Sequence, residues 1–313
     1  MNPLLSATAM KWNEIAYTEE TVVALGNFDG VHRGHQQMIK ALIEKGKELG
    51  LRPVVITFSP HPRQFFCKEH EFSVLSSTRE NKMRIEAIGP VQVQSVHFNQ
   101  EFASLSPTDF ALNFLIERLK AKYIFMGPNH KFGKAAQGSF DFLKDLMFTR
   151  AVGVEKLKPL MFEGQIISSS RIKESLQQAK IKQANQMLGY LFNYQGVVVR
   201  GDGRGRILGF PTANLRLNEP KAIKVGTGVY GAYVQIEGKK WPAVVNIGKT
   251  PTFKSQVRKI EAFILDFSKD IYDKTIGIEL NCYLRNEKEF DSVEQLVTQI
   301  AVDVEQYKKI EQG

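Results

Sequence analysis

The spacing of apolar runs changes once along this 313-residue chain, and that change limits the folds open to it. Up to about residue 187, short β-branched runs alternate with longer stretches of helical period. Thr21–Leu25 reads as a buried strand. His35–Leu49 reads as a helix with Met38, Ile39, Leu42 and Ile43 on one face and Gly50 as its stop. Pro53–Phe58, Val91–Phe98 and Tyr123–Met126 read as further strands. Between them, Ser77 is placed to cap a helix reaching Ile88, and Pro107 to open one running to about Lys120. Strand and helix in alternation predict a parallel sheet covered on both faces. From about Phe192 the runs become short strands separated by turn residues, as in "YQGVVVR", "GVYGAYVQI" and "KIEAFILDF", which predicts an antiparallel barrel or sandwich. Only Ser292 to about Lys308 is helical again, with Val293, Leu296, Ile300 and Val302 on one side. Two domains are therefore expected, 1–187 and 188–313, a division the chain length accommodates.

Composition excludes more than it assigns. No apolar run approaches the roughly 20 residues of a membrane span. The N-terminus lacks a basic start followed by a long apolar core, so the cytoplasm is the expected compartment. Two cysteines far apart, Cys67 and Cys282, make neither a disulfide framework nor a zinc site and are expected to be reduced and structural. A net charge of +9 favours anionic partners. Its spread along the chain, without a basic block, argues against nucleic acid and leaves open both small phosphorylated ligands and an ordinary basic surface; no membrane partner is expected.

"GNFDGVHRGHQ", Gly26 to Gln36, joins the first strand to the first helix. At this place an open α/β sheet binds ligands, and a helix N-terminus attracts anions. Three uses are open: a metal site, which lacks cysteine or carboxylate partners; a glycine turn alone; or a nucleotide cradle. It is neither a Walker A loop nor the dinucleotide fingerprint. His32-x-Gly34-His35 resembles the His-x-Gly-His signature of the nucleotidyltransferase superfamily, in which imidazole N–H groups and helix-start amides stabilise charge on an α-phosphate. "ISSSR", Ile167 to Arg171, is a candidate for that superfamily's second phosphate clamp, and taken alone it is only a serine N-cap.

In the second half, "GDGRGRILGFPTANL" sets Gly201, Gly203 and Gly205 around arginines and then offers Thr212 and Asn214, two neutral oxygen ligands on one side of an extended chain. Such groups suit Mg²⁺, which keeps waters and phosphate oxygens as its other ligands. Glu261 stands in an apolar strand and is either a satisfied ion pair or a functional base.

In order, GNFDGVHRGH, ISSSR, GDGRGR-LGFPTANL, GVYGAYV, NIG-x-TPTF and E-x-x-x-LDF resemble the prokaryotic bifunctional riboflavin kinase/FAD synthetase family over nearly the whole chain. The resemblance implies a Rossmann-like, doubly wound α/β nucleotidyltransferase domain followed by an antiparallel β-barrel with a C-terminal helix. It implies ATP-dependent phosphorylation of riboflavin to FMN, adenylylation of FMN to FAD with release of pyrophosphate, and a need for Mg²⁺. Glu261 then matches the kinase base. Thr212 and Asn214 match the metal and phosphate contacts, and Gly201, Gly203, Gly205, Arg206, Gly209, Phe210, Pro211 and Asn246 match the nucleotide and flavin surround. In the adenylyltransferase, Gly26, Asn27, Phe28, His32, Gly34 and His35 match the first phosphate site, with Asn129, Ser169 and Arg171 as later contacts. The chain departs from the family pattern at Ser59 (Asp expected), Asn129 and His130 (Asp-Phe), Ser170 (Thr) and Lys173 (Arg), all in the first half. A kinase without adenylyl transfer, a flavin-binding regulator and a tRNA-aminoacylating enzyme are the rivals. The last lacks the lysine-rich second motif and an anticodon domain.

Overall fold

A computed structural model describes residues 9–66, 72–128, 130–201, 205, 209–251 and 256–312. Cys67, Asn129, Gly203 and Arg206 lie outside the described residues. Packing divides the chain into two compact units, Met1–Ser168 and Ser169–Gly313.

In the first unit the elements run β1 (Thr21–Leu25), α1 (Arg33–Leu49), β2 (Arg52–Ser59), α2 (Pro62–Phe66), α3 (Thr78–Glu86), β3 (Gln92–His97), α4 (Gln100–Ala103), α5 (Pro107–Asp109), β4 (Ala121–Met126), α6 (Phe140–Phe148), β5 (Gly153–Lys156), β6 (Met161–Phe162) and β7 (Gln165–Ile166). Five parallel strands lie in the order β3-β2-β1-β4-β5, with β1 in the middle and every one of its residues buried. Its alternate side chains feed two cores. Val22 and Ala24 pack with Met38, Ile39 and Leu42 of α1 and Ile85 of α3. Val23 and Leu25 pack on the opposite face with Phe110, Phe114, Leu143 and Met147. The sheet is thus doubly wound, because a central parallel strand is apolar on both faces.

Ser77 caps α3 as the sequence predicts, in a capping box with Glu80. α1 begins at Arg33, earlier than expected, because the His32 side chain itself serves as N-cap. The expected helix from Pro107 starts as α5 but continues over Phe110–Arg118 with π-helical bonding, closed by the Leu119 amide donating to the Phe114 carbonyl at 3.0 Å. β5 has no counterpart in the sequence reading.

The second unit starts with α7 (Ser169–Gln177) and α8 (Ile181–Leu188). It continues as β8 (Asn193–Val199), β9 (Thr212–Leu217), β10 (Gly228–Ile236), β11 (Lys239–Pro251), β12 (Gln256–Ile264), β13 (Thr275–Arg285) and α9 (Val293–Gln312). The strands close into a barrel in the order β10-β11-β12-β9-β8-β13, which settles barrel against sandwich. α7 and α8 pack on this unit. Asn185 Nδ2 donates to the Leu280 carbonyl at 2.9 Å, and the Gly226 amide donates to the Leu176 carbonyl at 2.9 Å. The buried face of α9 differs from the expected one. Val304 and Tyr307 pack on Val229, Val244 and Cys282, whereas Val293 and Val302 are each 52% exposed. A helical period started from Ile300 reaches Val304 and Tyr307, not Val302. Cys282 is a free, buried thiol within this packing. Among the described residues no helix is long and apolar enough to cross a membrane.

Candidate functional site

The loop after β1 is built to hold an unusual backbone. Phe28 and Val31 are both buried, yet take positive φ of 49° and 39°, conformations that cost a β-branched or bulky residue energy. The surrounding structure imposes them. The Gly26 amide donates to the Ile56 carbonyl of β2 at 3.2 Å, the Gly30 amide to Asn81 Oδ1 at 3.1 Å, and the Leu75 amide to Asp29 Oδ1 at 2.8 Å.

His32 and His35 emerge from this loop stacked, with ring centres 3.6 Å apart and planes 15° apart. Phe28 packs on His35 with ring centres 5.1 Å apart. Gly34 lies under the His32 ring, and a Cβ there would be 3.3 Å from Nδ1. Burial holds both imidazoles neutral. It lowers the His32 pKa to about 4, against a smaller opposing pull from Asp29. It pushes His35 well below the ordinary value, helped by His32. His32 Nδ1 accepts the His35 amide at 3.4 Å, so the ring proton of the neutral form sits on Nε2. His35 Nδ1 and Asn27 Oδ1 are buried and have no hydrogen-bond partner among the described residues. Two stacked neutral imidazoles at a helix N-terminus supply N–H donors and a favourable dipole to an anion.

Asn27 also lines a cavity of about 520 Å³ whose walls include Phe58, Phe66, Phe98, Phe102, Phe110 and Phe132. His130 faces the same cavity, and burial lowers its pKa to about 4. A slot walled by six phenylalanines suits a flat aromatic ring system. This slot had no motif to announce it, because its phenylalanines come from β2, α2, α4 and the segments around residues 98, 110 and 132. Ser169 and Arg171 lie in the first turn of α7, inside the helix rather than ahead of it as an N-cap.

The barrel unit carries a second cavity, of about 450 Å³. Strand register builds one wall: Glu261 on β12 is paired with Asn214 on β9 and with Asn246 on β11. Thr212 faces Phe263 two residues along the same ladder. The cavity brings together Gly201, Gly205, Phe210, Pro211, Thr212, Asn214, Asn246 and Glu261 from the expected residues. Gly209 takes a left-handed φ of 79° in the loop leading into β9, and the Phe210 amide closes that loop on the Gly205 carbonyl at 2.8 Å. A Cβ on Gly201 would collide with the Asn214 side chain. Asn214 is 8% exposed, and its Oδ1 has no hydrogen-bond partner among the described residues. A buried amide oxygen left open toward a cavity is suited to a hard cation. Glu261 Oε1 accepts an ion pair from Lys259 Nζ at 3.0 Å, so both sequence alternatives for this carboxylate, ion pair and functional base, stay compatible with its position.

The far wall comes from β13 and α9, which the motifs did not mark. Arg285 forms a bidentate pair with Asp303, with contacts of 2.8, 3.1 and 2.8 Å, and Asp303 is 1% exposed. Gln299 also donates to Asp303 Oδ1 at 3.0 Å. Ile300 and Leu296 complete the wall. Asp303 is buried on the packed face of the last helix, and the expected apolar stripe through Val293, Leu296, Ile300 and Val302 did not include it.

The chain matches the family described as FAD synthetase over residues 14–171 and the one described as riboflavin kinase over residues 188–311. It is 36% identical over 284 residues to the bifunctional riboflavin kinase/FMN adenylyltransferase of Pseudomonas fluorescens, covering 90% of each chain. It is 35% identical over 288 residues to the protein of the same name from Bacillus subtilis, covering 91% of this chain and 90% of that one. A crystal structure titled as a macrolide-efflux protein from Streptococcus pneumoniae shares the fold with a TM-score of 0.88 at 31% identity, over 95% of this chain and 97% of that one. With both domain matches in sequence and relatives covered over almost their whole length, the chain belongs to the bifunctional riboflavin kinase/FMN adenylyltransferase family.

Proposed function

We propose that this chain phosphorylates riboflavin to FMN with ATP in its barrel unit, and joins AMP from a second ATP to FMN, giving FAD and pyrophosphate, through its parallel-sheet unit. The observation that carries the reading is the row Asn214–Glu261–Asn246 across three barrel strands, which sets a carboxylate between two amides in a cavity of about 450 Å³.

In the kinase reaction Glu261 accepts the proton of the 5′-hydroxyl as that oxygen attacks the γ-phosphorus of ATP. Gly201, Gly203, Gly205 and Arg206 keep the phosphate-lid role implied by the family motif. Thr212 and Asn214 are the residues that would hold Mg²⁺, and the orphaned Asn214 Oδ1 fits such a ligand. The ion, when bound, supplies positive charge to the phosphate oxygens. In adenylyl transfer, His32 Nε2–H, the amides opening α1 and the side chain of Asn27 stabilise charge developing on the α-phosphate. The imidazoles act uncharged, as hydrogen-bond donors. The phenylalanine-lined cavity receives the isoalloxazine ring of FMN, with His130 on its wall. Ser169 and Arg171, which open the second unit, keep the phosphate-clamp role implied by the family motif, and Asn129 is a further contact from the same pattern. The functional division falls at 187/188, supported by the start of the riboflavin kinase match at residue 188. Riboflavin, FMN and ATP are the partners, with neither nucleic acid nor membrane required, and the cytoplasm is the compartment these substrates suit.

Two variants of the full chain test the reading. Glu261→Gln lowers FMN formation at least about 100-fold and leaves FAD formation from supplied FMN intact. His35→Ala does the reverse. FMN formation that survives Glu261→Gln contradicts the base assignment, and loss of both reactions in either variant contradicts the division of labour.

A further inference from the structure

The kinase cavity contains a cation that no motif marks. Lys259 precedes Glu261 by two residues on β12, so strand alternation turns both side chains to the same face. Both line the cavity. Lys259 Nζ lies 3.0 Å from Glu261 Oε1, and the two side chains are 33% and 26% exposed, more withdrawn than an ordinary surface pair. The strand neighbours of Glu261, Asn214 and Asn246, are neutral amides. The guanidinium of Arg285 on the far wall is committed to Asp303. Lys288 also lines the cavity, and among the described residues Lys259 is the cation in direct contact with the carboxylate, at Oε1.

We propose that Lys259 is a positioning residue for phosphoryl transfer: its ammonium pins Oε1 of Glu261 and leaves Oε2 turned to the riboflavin hydroxyl. The inference rests on Glu261 being the base. In the step so arranged, the hydroxyl O–H bond breaks and its proton passes to Oε2. The hydroxyl oxygen forms the new bond to the γ-phosphorus. The bond from that phosphorus to the β–γ bridging oxygen breaks, and ADP leaves with the electron pair. A carboxylate free to swing would meet the hydroxyl in productive geometry less often, a loss that falls on turnover rather than on binding.

Initial rates on the full chain test this, with FMN formation from riboflavin and Mg-ATP as the readout and FAD formation from FMN as the internal control. Lys259→Met lowers kcat for FMN formation roughly tenfold to a hundredfold. The KM for riboflavin stays within about twofold and FAD formation is unchanged. Lys259→Arg, which can still pin the carboxylate, recovers most of the loss. In a Glu261→Gln background, adding Lys259→Met causes no further loss, because the residue acts through the carboxylate. A Lys259→Met enzyme with unchanged kcat, with a defect in KM alone, or with an equal further loss in the Glu261→Gln background overturns the proposal. Full kinase turnover in Glu261→Gln alone removes the base assignment and the proposal with it. An inactive Glu261→Gln beside a fully active Lys259→Met removes only the proposal.

Discussion

Acidification from pH 7 to pH 5 should destabilise the parallel-sheet unit through His32. The ring is 6% exposed, and burial lowers its pKa to about 4, whereas an unfolded histidine titrates near 6.5. Below pH 6.5 the unfolded chain takes up a proton that the folded chain refuses until about pH 4. Stability is therefore lost as the pH falls through that window and levels off beneath it. Integrating the proton difference from pH 7 to pH 5 for this one group gives a loss of about 2 kcal/mol. His35, held neutral by burial and by the ring stacked 3.6 Å away, adds a loss of the same sign. The chain's two tryptophans allow the unit to be followed alone. Trp241→Phe leaves Trp12, which packs on Phe102 with ring centres 6.5 Å apart and donates to Glu101 at 3.0 Å. Urea unfolding by Trp12 fluorescence at pH 7 and pH 5, in this background and with His32→Asn added, isolates the term. Asparagine keeps an N-cap and does not titrate, so the His32→Asn protein should lose about 2 kcal/mol less over the interval. Equal losses in the two proteins would refute the reading that His32 is held neutral in the fold.

The barrel cavity is sensitive to a single methyl group: Gly201→Ala would drive a Cβ into Asn214 and should lower FMN formation while FAD formation from FMN persists in the same preparation. Asn214→Ala removes the open amide oxygen, and a titration of kinase rate against Mg²⁺ should show a higher half-saturating concentration with little change in thermal stability. Phe98→Ala opens the aromatic cavity of the first unit and should raise the KM for FMN in FAD formation, read by steady-state rates, without altering riboflavin phosphorylation.

The sequence displayed local rules and concealed assembly. Strand β1, the Ser77 cap and the barrel strands were legible because each follows a short-range rule of period, capping or turn chemistry. The loop from Gly26 to His35 was legible as the join between the first strand and the first helix, but not the neutrality of its histidines, which depends on Phe28 and on burial supplied from elsewhere in the unit. The phenylalanine cavity was invisible for the same reason: its residues are scattered from 58 to 132 and meet only in the folded sheet. Lys259 was in plain view two residues from Glu261, where same-face spacing could have marked it, although the distance between them needed the fold. On α9, the reading started its helical stripe at Val293 and carried it to Val302, while packing selected Val304, Tyr307 and the buried Asp303.

One time course tests the whole account most directly. The purified chain is given riboflavin, ATP and Mg²⁺, and the flavins are separated chromatographically. The account predicts that FMN rises first and then gives way to FAD, with one pyrophosphate released per FAD formed. FMN that accumulates without FAD, or riboflavin that remains unchanged, would contradict it.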